Sequence, residues 1–153
     1  MKSVKVLFLD IDGVLRRFNA EDAPVGMEPG PVWRLREVVE DCNLKIVISS
    51  DWRLRKDWRE RVLKFMGICG WDNPPIIDCT PNFGIWDPNS NFCRGDEVQF
   101  WLDTHTEVKS FAILDDDNED PIRFLPSQED RFILVDFKKA LTSDNANALR
   151  SLF

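Results

Sequence analysis

The sequence predicts an α/β domain of three layers, with five strands in a mostly parallel sheet and helices on both faces. Three observations lead there. The apolar runs are short and rich in β-branched residues, they alternate with segments of helical periodicity, and several stop abruptly on polar residues. The chain has 153 residues, 43% of them hydrophobic, which suits one compact domain, 1–153, whose core needs no disulfide or metal.

Each element has its own signal. Val4 to Leu9 (VKVLFL) reads as a buried strand closed by Asp10. After an irregular stretch from Arg16 to Pro29, Gly30-Pro31 opens a helix in which Val32, Leu35, Val38, Val39 and Cys42 recur at helical spacing. Leu44 to Ile48 (LKIVI) is the second strand and ends in Ser49-Ser50. Asp51 then caps a helix expected to run to about Met66 and stop at Gly67. Pro75 to Cys79 is a weaker third strand, and Pro81 to Phe92, rich in Pro, Asn and Gly, is loop. A helix follows from about Asp96 to His105. Phe111 to Leu114 is the fourth strand, ending in Asp115-Asp116-Asp117, and Arg131 to Val135 is the fifth. Thr142 or Ser143 caps the last helix, through Leu149 and Leu152. Trp33, Trp58 and Trp101 fall at helical positions and are assigned to packing.

Composition removes several classes of function. With 20 Lys and Arg against 27 Asp and Glu, the net charge is −7, the wrong sign for a general polyanion binder. The cysteines stand at 42, 69, 79 and 93 with no C-x-x-C pair, and His105 is the single histidine. That spacing fits neither a zinc site nor a disulfide framework, so the thiols are expected to be reduced, as in a cytoplasmic protein. No G-x-S-x-G accompanies His105, which argues against a serine triad. The N-terminus lacks a signal-peptide pattern, and no apolar run approaches the roughly 20 residues of a membrane span.

The chemistry gathers at strand ends. In a parallel sheet the carboxyl ends of all strands share one edge, where open α/β folds place their ligands. Asp10 and Asp12, two residues apart, project to one side of an extended chain, and Asp115 or Asp116 arrives from another strand. Several carboxylates so close repel one another unless a cation is present, and all-oxygen ligation suits Mg²⁺. These residue types suit phosphoryl transfer. Asp10 can attack phosphorus to form an aspartyl-phosphate, and Asp12 can protonate the leaving oxygen and later deprotonate the attacking water. Ser49 can hydrogen-bond a phosphate oxygen, a cationic side chain can neutralise another, and Gly13 allows the sharp turn after the acidic pair.

The strand followed by DIDGVL (10–15), the strand followed by SSDWR (49–53) and the strand followed by DDDNED (115–120) together resemble the haloacid dehalogenase superfamily of aspartate-nucleophile phosphatases. The resemblance runs from Val6 to Asp120 and implies a Rossmann-like domain. It makes Asp10 the nucleophile and Asp12 the acid/base that also offers a backbone carbonyl to Mg²⁺. Ser49 becomes the phosphate ligand of the second motif, with Ser50 the alternative. Asp116 becomes a metal ligand, with Asp115 sharing or supporting that role, and Asp120 the trailing acid. The third-motif cation is Arg94, with Lys109 the runner-up. The SSDWR segment and EVQFWLDTH (97–105) look like small capless members found alone or within nucleic-acid repair proteins.

The space for a cap is short. Leu15 to Pro29 can form a hairpin flap but not a cap domain, and Pro81 to Phe92 holds just a loop, so an open site for a large substrate is expected. The helix after Asp51 carries Arg53, Arg55, Lys56, Arg59, Arg61 and Lys64, a candidate rim for an anionic substrate, with Arg53 the nearest to the phosphate. Trp52, Trp86, Phe18 and Phe92 lie near the same edge and offer stacking surfaces for a base. These features favour a phosphorylated polynucleotide end or a nucleotide. The alternatives are a small metabolite or phosphoprotein, or a non-enzymatic receiver-like module that accepts phosphate on Asp78. Neither a membrane nor an obligatory oligomer is called for, and a monomer is compatible with the sequence.

Overall fold

A strand buried on both faces must be apolar at successive positions, and the fully buried run Val6 to Leu9 within VKVLFL meets that requirement. In the computed structural model, which describes residues 3–18, 21–22, 25–117 and 124–153, this segment is β1 (Val4–Leu9), the middle strand of the sheet. Along the chain follow α1 (Pro29–Cys42), β2 (Lys45–Ile48), α2 (Trp58–Ile68), β3 (Ile76–Cys79), α3 (Arg94–Asp103), β4 (Val108–Asp115), β5 (Phe132–Leu134) and α4 (Ser143–Arg150). The strand order is β3-β2-β1-β4-β5, and every pair is parallel, so the expectation of a mostly parallel sheet becomes a wholly parallel one among the described residues.

Strand alternation divides the interior in two. Leu7, Leu9, Ile46, Ile48, Ala112 and Leu114 pack with Leu35 and Val38 of α1, Val62 and Met66 of α2, and Leu149 of α4. Val6, Phe8, Val47 and Ile113 pack with Val98 and Trp101 of α3. Phe8 meets the Trp101 ring edge-on at 5.5 Å, a favourable aromatic geometry. The three layers follow from these two buried faces.

Register then aligns the strand ends. Leu9 lies opposite Ile48 on one side and Leu114 on the other. One residue further, Asp10 sits between Ser49 and Asp115, with its N–H donating to Leu114 O and the Ser49 N–H donating to Leu9 O, both at 3.0 Å. By alternation these positions face the α3 side. The chain leaves β1 in one direction for β2 and β3, then crosses to β4 on the other side. Asp10 and Asp115 therefore flank the point where strand order reverses, the place open α/β sheets bind ligands.

The structure corrects several boundaries. The helix expected to begin at Asp51 is a 3₁₀ turn over Asp51–Leu54, followed by a break before α2. Ser50, not Asp51, caps the turn, its side chain accepting the Trp52 N–H. α3 begins at Arg94, two residues earlier than expected, because the Asp96 carboxylate accepts the Cys93 N–H at 2.8 Å. β4 reaches back to Val108, and a 3₁₀ helix over Pro126–Arg131 shortens β5. Trp33, expected to pack, is exposed, whereas Trp101 is buried. Among the described residues the segment from Leu15 to Pro29 forms neither cap nor hairpin ladder. Its neck is closed by Glu28 N–H on Leu15 O at 2.8 Å and by the Arg17–Glu28 ion pair at 3.0 Å.

The start of α3 is held against the connection between β4 and β5. Gln128 is buried, donates to Gly95 O at 3.0 Å and accepts the Leu125 N–H at 3.1 Å. A Cβ on Gly95 would stand 2.7 Å from Leu125 N and 2.9 Å from Phe124 Cα, both backbone atoms with little freedom to yield. Gly95→Ala is expected to cost about 1–3 kcal/mol through overpacking, seen as a lower urea midpoint with an unaltered slope.

Candidate active site

The aligned strand ends bring three carboxylates together. Oxygens of Asp10, Asp115 and Asp116 all lie within 4.8 Å of one another. Asp115 is fully buried and Asp10 nearly so. The first residue of α3 answers their charge: Arg94 Nη1 lies 3.1 Å from Asp115 Oδ2 and 3.4 Å from Asp10 Oδ1, while Nη2 lies 3.3 Å from Asp51 Oδ1. Burial opposes the charge on Arg94, yet the surrounding carboxylates, Asp115 foremost, outweigh it and raise its pKa. The other Asp115 oxygen accepts the Asp117 N–H at 2.9 Å, so both of its oxygens are engaged.

Asp12 stands apart from the cluster. Its Oδ1 lies 3.2 Å from Arg16 Nε and accepts the Trp52 indole N–H at 3.3 Å. Burial raises its pKa, with Arg16 and Trp52 pulling the other way. Gly13 follows Asp12 in the chain with φ +82°, and a Cβ there would overlap the Asp116 carboxylate. Glycine is thus required twice over, by backbone conformation and by close approach.

Over this arrangement, residues 6–146 match the family model described as HAD domain in Swiss Army Knife RNA repair proteins. The chain belongs to that family. Comparison with curated proteins and with solved structures gives no match. This HAD domain is accordingly of the phosphatase-type hydrolase class related to RNA repair. It shows no cap among its described residues, and no helix in them is long and apolar enough to cross a membrane.

Around the HAD centre, the remaining candidates fall on both sides of the line. Ser49 Oγ is buried without a hydrogen-bond partner, one strand from Asp10, whereas Ser50 Oγ is committed to the Trp52 N–H at 3.3 Å. Arg53, expected to reach the phosphate, instead spends its guanidinium on protein partners. Its guanidinium donates to the carbonyls of Ser49, Ser50, Thr80 and Pro81 at 3.1–3.3 Å and to Glu97 Oε1 at 2.8 Å. A donor set so occupied has nothing left for a ligand. Lys109 lies near the start of β4, the end opposite the site, and donates to Thr106 O. Asp120 and Glu119 lie outside the described residues. The basic rim is also thinner than the sequence suggests, since Arg55 pairs with Asp57, and Arg59 and Arg61 lie over the rings of Trp58 and Trp52.

Two acids were not foreseen in their observed roles. Asp51, read as a helix cap, holds Arg94 from outside the cluster. Glu97, read as a helix residue, is fully buried against Arg53. Neither pairing follows from spacing, because the partners are 43 and 44 residues apart.

The donor set of the HAD domain fits a metal ion: three carboxylates, no nitrogen or sulfur, in a mostly buried group. Without a cation, burial and mutual repulsion favour the neutral form of the carboxyls in this cluster. Burial, followed by a hydrogen bond with Asp10 and the Asp10 charge, pushes Asp116 up to about 8. Burial and the Asp10 charge likewise raise Asp115 well above the carboxylate range. A carboxyl raised in the folded chain stabilises it below the ordinary carboxylate pKa, and that contribution is lost as pH climbs towards 8. Metal-free thermal stability is therefore expected to fall between pH 5 and 8.5, and Asp116→Asn to flatten much of that slope, as measured by melting temperature in chelator.

Proposed function

We propose that this HAD domain, acting as one unit over 1–153, is an Mg²⁺-dependent phosphomonoester hydrolase that works through an aspartyl-phosphate and serves nucleic-acid ends or nucleotides. The observation that carries the reading is the buried Asp10 carboxylate, set between Ser49 and Asp115 with Arg94 3.4 Å away. A nucleophile, a hydroxyl, a guanidinium and further acids converge there from four separate segments. The HAD family match supports the reaction class, and its RNA-repair description supports the substrate class.

In the first step an Asp10 oxygen forms a bond to phosphorus as the bond to the leaving oxygen breaks, and Asp12 passes its proton to that oxygen. In the second, Asp12 takes a proton from water, the water oxygen bonds to phosphorus, and the acyl-phosphate bond breaks to free inorganic phosphate and Asp10. Desolvation of Asp12 favours its protonated form, and the Arg16 and Trp52 contacts keep the proton transferable. Arg94 and the otherwise unpartnered Ser49 hydroxyl supply positive charge and a donor for the phosphoryl oxygens. Asp10, Asp116 and the Asp12 backbone carbonyl would hold Mg²⁺, with Asp115 in support, and the ion would screen phosphate from carboxylate.

The receiver-like alternative draws no support from the geometry. Asp78 lies on the edge strand β3, where it accepts the Trp101 indole N–H at 2.8 Å. The test of the reading is phosphate release from end-phosphorylated oligonucleotides, nucleotides, sugar phosphates and phosphopeptides. Release is expected to require Mg²⁺, to vanish in Asp10→Asn and to fall about 10²–10⁴-fold in Asp12→Asn. Metal-independent release, or full activity in Asp10→Asn, would refute it.

A further inference from the structure

We propose that Thr80 is a positioning residue for Ser49: its hydroxyl donates to Ser49 Oγ while Ser49 donates to a phosphoryl oxygen. The assignment rests on the phosphatase reading above. Among the described residues two buried hydroxyls have no hydrogen-bond partner, Ser49 Oγ and Thr80 Oγ1, and both residues are at most 2% exposed. Keeping such a group dry and unpaired is costly, and these two are neighbours. Ile48 lies opposite Cys79, and the Thr80 N–H donates to Ile48 O at 2.9 Å, just as the Ser49 N–H donates to Leu9 O. Thr80, Ser49 and Asp10 therefore form one row across the ends of β3, β2 and β1, and by alternation they share a face.

Adjacent strands lie about 4.8 Å apart, a gap that two hydroxyls turned towards each other can close. From Thr80 to Asp10 the gap is about twice as wide, so Thr80 acts through Ser49 and does not touch the phosphate. Arg53 fixes the spacing of the pair. Its Nε donates to Thr80 O and its Nη1 to Ser49 O, both at 3.2 Å, and the guanidinium is itself held by the buried Glu97 at 2.8 Å. With both main chains clamped, rotation about χ1 is the freedom left to each hydroxyl. A serine hydroxyl has a single proton. When Ser49 gives it to a phosphoryl oxygen, its lone pairs still lack a donor, and a hydroxyl that accepts a hydrogen bond becomes a stronger donor itself. Thr80 supplies that donor from the next strand.

The test measures three quantities in Thr80→Val and Thr80→Ser: ligand-free melting temperature, affinity for inorganic phosphate with Mg²⁺, and kcat/KM on the panel substrate cleaved fastest. Thr80→Val removes a buried unpaired hydroxyl, so its melting temperature is expected to rise by a few degrees. Its phosphate affinity and kcat/KM are expected to fall roughly three- to tenfold, and Thr80→Ser to retain most of both. In a Ser49→Ala background, Thr80→Val is expected to change kcat/KM little, because its effect passes through the Ser49 hydroxyl. A threonine that serves packing alone would instead lower stability and activity together and add to the loss in Ser49→Ala. Wild-type phosphate affinity and turnover in Thr80→Val, or an equal loss with and without the Ser49 hydroxyl, refutes the pairing and leaves the phosphatase reading standing. If wild type neither releases nor binds phosphate, the two fall together.

Discussion

Mutual repulsion among Asp10, Asp115 and Asp116 is the constraint that the rest of the site answers to. At about 4 Å two unit charges repel by roughly 4 kcal/mol in a partly buried setting, a large fraction of a domain's net stability. Three devices offset it. The Arg94 guanidinium spans Asp10 and Asp115, the Asp117 N–H holds the second Asp115 oxygen, and burial beside Asp10 raises the pKa of Asp116, which favours its neutral form. The same devices make the site useful. A centre of packed anions fits a metal ion, and on the function proposed above the guanidinium would face an incoming phosphate.

Keeping Arg94 in place requires α3 to start where it does. The Cys93–Asp96 cap sets the first turn, and the Gln128 side chain fastens Gly95 to the connection after β4. On the opposite flank the buried Arg53–Glu97 pair, 2.8 Å apart, binds α3 to the carbonyls after β2 and β3. Removing charges from water is costly, and a single buried pair seldom repays it by Coulomb attraction alone. Here the cost is offset by carbonyl hydrogen bonds to nearly every guanidinium donor, so the pair acts as a rigid brace between the Ser49 turn and the loop of Trp86. Arg53, the rim cation expected nearest the phosphate, is part of the frame that holds Ser49 and the start of α3.

An open edge follows from the same economy of chain. The segment between β1 and α1 is closed at its neck by Arg17 and Glu28 and has no cap among its described residues. The rim beside it is mixed: Arg55 pairs with Asp57, Arg59 and Arg61 of α2 lie over aromatic rings, and the overall charge is −7. Such a surface gives little long-range attraction for a polyanion. Such an edge offers a ligand short-range contacts in place of long-range attraction.

The five strands, their parallel arrangement and the acids at their ends were legible in the sequence because they are local properties. Apolar runs such as VKVLFL and LKIVI declare buried strands through period and β-branching, and parallel connectivity then sends Asp10, Ser49 and Asp115 to one edge. Glycine after D-x-D was legible too, though its closeness to Asp116 was not. Helix starts were less secure, since Ser50 and Asp51 both have capping chemistry, and the choice was made by Trp52 and Arg53 being buried. What only tertiary structure decided is the fate of the long cationic side chains. Arg53, Arg94 and Lys109 look alike in sequence, but a guanidinium or ammonium on a flexible stem goes wherever carboxylates and unsatisfied carbonyls gather. Those partners are assembled by register between strands far apart in the chain, so Arg94 enters the acidic cluster, Arg53 braces the frame and Lys109 stays at the far end.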